Sequence, residues 1–422
     1  GLWDDADPDT LESSMSTFYA DKDGDGYGDA ATTELACAAS TGFVQNDDDC
    51  DDLDTATSPV GTEVCNDGID QDCDGDVSPA CGIGGNMEIS TAYPPEWTIS
   101  APSDVDLAVG GDLDADGYSD IYLGSYTASA LAANGGAFVR HIGWPTADID
   151  WEDGVSRVDG ESDYQMLADN LAIGDLNADG EMDVVSGSRT DSSLAIGGGI
   201  ARVFTSSGTV AADAWWTAEG DATYDYMGTD VVAEDADGDG IDDLLVAGNK
   251  GSMLFLGPLT AGAHTDVDAD LYISHSDSVT AAHLVDIDGD GTSSAVLQAP
   301  TSSYSYSYAG ALYHVDATRT GTVDIDNGEM DEVMYGAVKS MGFARSLAFG
   351  DVDDDGVLDH VVGGDDGEVN VRYGPGSSGS SYAANVNIDT SRGEPVTSLC
   401  VTGDLDNDGS TDLVAGYSAD AV

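Results

Sequence analysis

Seven segments of the chain space carboxylates so that they can close around one hard cation. The first runs Asp21, Asp23, Asp25, Gly26, Tyr27 and Asp29. The second is Asp112, Asp114, Asp116, Gly117, Tyr118 and Asp120, and the third Asp175, Asn177, Asp179, Gly180, Glu181 and Asp183. Then come Asp235, Asp237, Asp239, Gly240, Ile241 and Asp243, and Asp286, Asp288, Asp290, Gly291 and Thr292. The last two are Asp351, Asp353, Asp355, Gly356, Val357 and Asp359, and Asp404, Asp406, Asp408, Gly409, Ser410 and Asp412. Side-chain oxygens at positions one, three and five converge, and Gly at position six permits the sharp turn that wraps the chain around an ion. Position seven ligates through its backbone carbonyl, so its side chain is free to vary. Asp at position nine closes the shell. The Asp286 copy has Ser294 there and is the weakened one. All-oxygen ligation by several carboxylates selects calcium over zinc, and a roomy loop favours calcium over magnesium.

Short strands must hold these loops. An EF-hand would close with Glu at position twelve between two helices. Here the flanks are apolar runs of strand length: residues 107–109, 171–173, 231–232 and 347–349 before the loops, and 121–123, 184–185, 244–246, 361–362 and 413–414 after them. Each loop therefore joins two strands of a hairpin. The first Asp residues of the six later loops are 63, 60, 51, 65 and 53 residues apart. That period is too long for one hairpin and suits a blade of about four strands. Further strands are expected at 136–140, 200–204, 252–256, 311–315 and 369–373.

The 422 residues carry 82 acidic and 11 basic side chains, a net charge of −71. Such a surface repels a nucleic-acid backbone and anionic lipid. Only 14 of the acids are Glu. Asp suits turns and metal loops rather than helices, so the acid type itself indicates a loop-rich all-β chain. No run approaches the ~18 apolar residues of a membrane span. The first residues lack the features of a signal peptide, so the start is expected to follow a processed or omitted leader. Five of the six cysteines cluster at Cys37, Cys50, Cys65, Cys73 and Cys81 without zinc-type spacing. They read as disulfides and place the protein outside a reducing cytosol.

The segment Gly111-Asp112-Leu-Asp114-Ala-Asp116-Gly117-Tyr118-Ser-Asp120-Ile121 and its copies resemble the FG-GAP (VCBS) repeat of integrin-α-like β-propellers, over residues 87–422. The resemblance implies a propeller with calcium in the loop between the first two strands of each blade. Six loops fit six blades, and a seventh without the motif is the alternative. The last blade needs more strand than follows Val414; residues 96–99 would supply it by closure of the ring, or the chain continues further.

Residues 1–81 differ. Asp70, Asp72, Asp74 and Gly75 form another wrap, with Asp76 just beyond. Together with the acidic stretches around Cys50 and Cys65, this part resembles the MopE-type metal-binding repeats of secreted bacterial proteins, and more loosely thrombospondin type 3 repeats. A module this small and charged buries little apolar surface, so disulfides and calcium are expected to replace a core. Cys37–Cys50 and Cys65–Cys73 are the nearest pairings. Cys81 then has Cys400 as its remaining partner, a free buried Cys400 being the alternative. Residues 82–86 read as a Gly-rich linker.

No sequence signature of an enzyme is present: no GxSxG, HExxH or P-loop, and the six His form no spaced ligand pair. Tyr304, Tyr306 and Tyr308 alternate with Ser and on a strand would share one face, either stacking on sugars or packing on a neighbouring blade. Of Trp215 and Trp216, one ring is expected in the core. The expectation is an extracellular or cell-surface, calcium-binding adhesion or structural protein. Its propeller would present a face to another protein or a glycan. A lectin, an accessory domain of a secreted polysaccharide-active enzyme, and a subunit of a surface filament or sheath are the alternatives.

Overall fold

The computed structural model describes residues 16–47, 49–53, 55, 57–59, 73, 99–100, 105–109, 121–128, 135–141, 149–151, 154, 156–205, 214–304, 307–338, 340–353, 355–374, 379–381, 386–389, 393–402 and 411–417. The chain divides into two compact units, one of Gly1–Glu88 with Thr402–Asp412 and one of Ile89–Val401 with Leu413–Val422. The loops at 112–120 and 404–410, Asp70, Asp72, Asp74 and Asp76 of the second wrap, Cys65, Cys81, Tyr306 and the expected linker lie outside the described residues.

The first unit holds a three-stranded antiparallel sheet. Its central strand Ser16–Ala20 is flanked by Asp29–Ala36 and Phe43–Val44. The Asp21 loop is the turn between the first two strands. Phe18, Ala20 and Ala36 are its buried apolar side chains.

The second unit is all-β and propeller-like: a succession of antiparallel meanders, each a blade. The first contains Val105–Val109, Ile121–Ser125, Ala137–His141 and Ser156–Asp159, and the second Asn170–Gly174, Asp183–Ser188, Ile200–Phe204 and Trp216–Glu219. The third contains Asp230–Glu234, Asp243–Ala247, Gly251–Phe255 and Leu271–Ser274, and the fourth Ala281–Val285, Ser294–Ala299, Ala311–Asp316 and Glu332–Tyr335. The fifth contains Ser346–Gly350, Asp359–Gly363, Glu368–Arg372 and Val386–Asp389. Val396–Thr402 and Asp412–Tyr417 pair as a final two-stranded sheet. Each described acidic loop of this unit lies between the first and second strands of a sheet. No helix among the described residues is long and apolar enough to cross a membrane.

Period-two alternation explains how blades stack. In the third blade Leu245, Ala247, Leu254, Leu271 and Ile273 face the fourth blade, packing with Ala295, Leu297 and Tyr313. Leu244, Val246, Met253 and Phe255 face the second blade, packing with Val185, Val203 and Trp216. A blade covered on both faces needs apolar residues at both parities, which is why its second strand reads Leu-Leu-Val-Ala.

Two features were not expected from the sequence. The long connection between third and fourth strands sends a short strand back, parallel, to the outer edge of the preceding blade. Gly262–His264 thus joins Trp216–Glu219, Gly321–Asp324 joins Leu271–Ser274, and Gly379–Ser381 joins Glu332–Tyr335. Ile149–Asp150 of the first blade pairs in the same manner with Ile99–Ser100. Among the described residues Ile99–Ser100 has this one strand partner. The second feature is a clasp between blades. Backbone N–H groups of Leu167, Met227 and Phe343 donate to the carbonyls of Gly135, Gly198 and Ala309 in the blade before. A Cβ on Gly136, Gly199 or Gly310 would fall within contact distance of the clasping backbone, so these positions require glycine.

Candidate metal centres

The acidic loops owe their shape to their own carboxylates. Asp235 Oδ1 accepts from the N–H of Gly238 (2.8 Å) and Asp239 (3.1 Å), and its Oδ2 from Gly240 (2.9 Å). Asp237 and Asp239 each accept one N–H two residues on, at 3.1 and 2.9 Å. The Asp286 loop repeats the set. The Asp351 and Asp175 loops repeat its main contacts. Gly180, Gly240, Gly291 and Gly356 all have φ between 84 and 90°, the left-handed turn only glycine adopts freely.

These turns bring three carboxylates together in each of three blades. One oxygen of each of Asp235, Asp237 and Asp239 lies within 4.8 Å of the others, and so do oxygens of Asp286, Asp288 and Asp290, and of Asp351, Asp353 and Asp355. In the second blade Asn177 replaces the middle carboxylate. Its amide N–H donates to Asp183 Oδ2 at 3.1 Å, which leaves its Oδ1 buried and without a hydrogen-bond partner. Oxygens massed in this way repel one another and are suited to a hard divalent cation. Position seven follows each wrap at Glu181, Ile241, Thr292 and Val357, with Tyr27 in the first unit.

The ninth carboxylate has a different place. Asp243 and Asp359 are buried and are not among the grouped oxygens. Asp243 Oδ2 accepts from Ala236 N–H (2.8 Å) and Oδ1 from Gly257 N–H (2.6 Å), tying the loop to the end of the third strand. Asp359 makes the equivalent pair with Val352 and Gly374, both at 2.7 Å. Burial pushes Asp243 up to about 6. Burial, followed by the charges of Asp179 and Asp175, pushes Asp183 up to about 7. A divalent ion in the loop opposes both shifts.

The fourth blade lacks this clasp because Ser294 stands at position nine, yet its triad still forms. Beside it lies a cavity of about 270 Å³ whose lining includes Asp288, Asp290, Ser294, His314 and Glu332. His314 and Glu332 occupy the register positions that Leu254 and Leu271 hold in the third blade. Burial, then His360 and Arg372, holds the His314 imidazole well below its usual range, and Glu332 pairs with Arg372 at 2.5 Å.

In the first unit the Asp21 loop does not act alone. Asp21 and Asp23 group with Asp52, and Asp23 and Asp25 with Asp49. Sequence reasoning missed Asp49 and Asp52 because the loop was read as self-sufficient; the acidic stretch around Cys50 was the available signal. Asp29, at position nine, instead accepts from Ala31 N–H and the Thr32 hydroxyl and lies 3.6 Å from Lys22 Nζ.

The cysteine pairing is corrected. Cys50 bonds to Cys73, with Cα atoms 5.7 Å apart, while Cys37 and Cys400 are free and exposed. Cys37–Cys50, Cys65–Cys73 and Cys81–Cys400 are therefore not formed. Asp29 bridges to Asp49, which puts Cys50 at one end of strand Asp29–Ala36, whereas Cys37 follows its other end. Eight strand residues span roughly 25 Å, far beyond disulfide reach. The tyrosine comb is corrected too. Residues 300–304 and 307–310 lie in turns and loop rather than in a strand, with Tyr308 at φ 56°. Tyr304 packs on Tyr313 and Tyr335 of its own blade. Trp216 is the core ring, edge-on to Phe255 at 4.9 Å, and Trp215 is half-buried.

Comparison with known proteins adds one family. The family Cu-binding MopE, described as "Putative metal-binding motif", matches residues 49–79. No curated protein matches the chain. Among solved structures, the V. cholerae biofilm matrix protein Bap1 is similar at 16% identity and a TM-score of 0.39, over 73% of this chain and 44% of that one. The Dos1 propeller is similar at 10% identity and a TM-score of 0.42, over 74% of this chain and 66% of that one. The chain thus spans less than half the length of the Bap1 structure.

Proposed function

We propose that this is an extracellular calcium-binding adhesion or structural surface protein, in which calcium sets the blade hairpins and the propeller presents a binding face. The observation that carries the reading is repetition: three successive described blades each gather three carboxylates within 4.8 Å at the same topological place. The Cys50–Cys73 bond supports an oxidising location. At free calcium tenfold above a site's dissociation constant, each ion adds roughly 1.4 kcal/mol. Several ions together then rival a domain's net stability of about 5–15 kcal/mol. The test is thermal unfolding with calcium and with a chelator. A large fall in melting temperature on chelation is expected, and an unchanged melting temperature refutes the reading.

The binding face is assigned to the blade ends away from the metal loops. Strands alternate in direction, so connections from second to third strand, and from blade to blade, lie opposite the acidic loops. Tyr164, Tyr224 and Tyr308 sit in such connections and are 61, 52 and 61% exposed. Exposed aromatic rings suit sugar faces and protein interfaces alike. A glycan array with the triple Ala variant separates them. Binding lost with the tyrosines indicates a lectin, and no glycan binding by the intact protein leaves a protein partner or self-assembly.

A further inference from the structure

The first unit holds two acidic groups that share Asp23, and they are not equivalent. The group Asp21, Asp23 and Asp52 already has a cation beside it. Lys22 Nζ lies 2.6 Å from Asp52 Oδ2, and the Lys22 N–H donates to Asp52 Oδ1 at 2.6 Å. Among the described residues the group Asp23, Asp25 and Asp49 has no such partner for its buried oxygens. In each of these residues Oδ1 is taken up by a turn N–H: Asp25 N–H to Asp23 (3.2 Å), Tyr27 N–H to Asp25 (2.8 Å) and Asp51 N–H to Asp49 (2.8 Å). In each, Oδ2 is buried and accepts no hydrogen bond from the described residues. Asp49 is only 9% exposed. Three buried carboxylate oxygens without donors are costly unless a cation fills the space among them.

We propose that Asp23, Asp25 and Asp49 hold one calcium ion between the first acidic loop and the disulfide segment, and that this ion and the Cys50–Cys73 bond stabilise each other. The inference rests on the reading that the acidic loops bind calcium. It adds a ligand from a distant segment and a redox linkage. The linkage follows from placement. Asp49 immediately precedes Cys50, its N–H donates to Gly28 O at 3.2 Å, and it bridges to Asp29 at the end of the loop. The disulfide limits how far Asp49 can leave the loop, and an ion on Asp49 keeps Cys50 in place. Whatever favours one must favour the other by the same factor.

The test uses the full chain and calcium alone. Bound calcium is counted by equilibrium dialysis, and the disulfide is titrated with dithiothreitol at saturating calcium and in chelator, with trapped thiols read by mass spectrometry. Reduction breaks the S–S bond, and two electrons and two protons pass from dithiothreitol, which closes to its cyclic disulfide. Calcium is expected to raise the dithiothreitol needed for half-reduction of Cys50–Cys73 at least tenfold. Asp49→Asn should bind one ion fewer and lose that shift, while retaining the calcium-dependent melting of the propeller. An unchanged ion count and shift in Asp49→Asn, or no shift in the unsubstituted protein, overturns the inference alone. A protein that binds no calcium at all overturns the wider reading as well. Asp25→Asn, expected to behave as Asp49→Asn does, replaces it should that variant not fold.

Discussion

Asp243→Ala separates a backbone clasp from a metal ligand. The carboxylate is buried at 1% exposure and accepts from Ala236 and Gly257 at 2.8 and 2.6 Å, with a weaker contact from Asp237 at 3.3 Å. Alanine removes the acceptor and leaves two well-placed N–H groups buried without one. A lost acceptor costs about 1–3 kcal/mol per orphaned group, so about 2–6 kcal/mol is at stake. The lower half of that range is expected, because burial already penalises this carboxylate and lifts it to about 6. A loss of about 3 kcal/mol should persist in chelator, where only the backbone clasp is at stake. Asp243→Asn keeps one acceptor oxygen and should recover about half. The assay is urea unfolding followed by tryptophan fluorescence, to which Trp216 of the second blade contributes from its packing against Leu244 and Phe255 of the third. A loss seen only with calcium would make Asp243 chiefly a ligand and refute the clasp. A loss under 1 kcal/mol in both conditions would refute the burial argument.

Two further outcomes follow from the blade contacts. Gly199→Ala puts a Cβ against the Met227 backbone at φ 76°, and should cost about 3 kcal/mol or more in a denaturant titration. A cost near zero would mean that the clasp is not tight. His360 is buried and His283 half-buried, and lost hydration holds both down to about 4. Their folded values lie below the unfolded ~6.5, so their neutral forms support the fold above pH 6.5 and that support is lost as pH falls towards 4. The loss should reach about 3 kcal/mol for each group, read as acid unfolding that His360→Phe moves to lower pH; an unmoved acid transition would refute it.

The sequence by itself determined the parts whose cause is local. An Asp at position one followed by Gly at position six makes the same turn in the four described blade loops, because the N–H groups it captures lie three to five residues away. The alternation around it marks the two strands of a hairpin, and the regular distance between loops marks the blade. Tertiary structure decided what depends on distant partners. Asp49 and Asp52 join the first loop because the chain returns beside Asp29, and Cys50 meets Cys73 because an eight-residue strand carries Cys37 away. The ninth Asp clasps Gly257 or Gly374 because the third strand ends beside it, a neighbour more than ten residues off. His314 and Glu332 are buried where the third blade has leucines, and only the packing of adjacent blades makes that position interior.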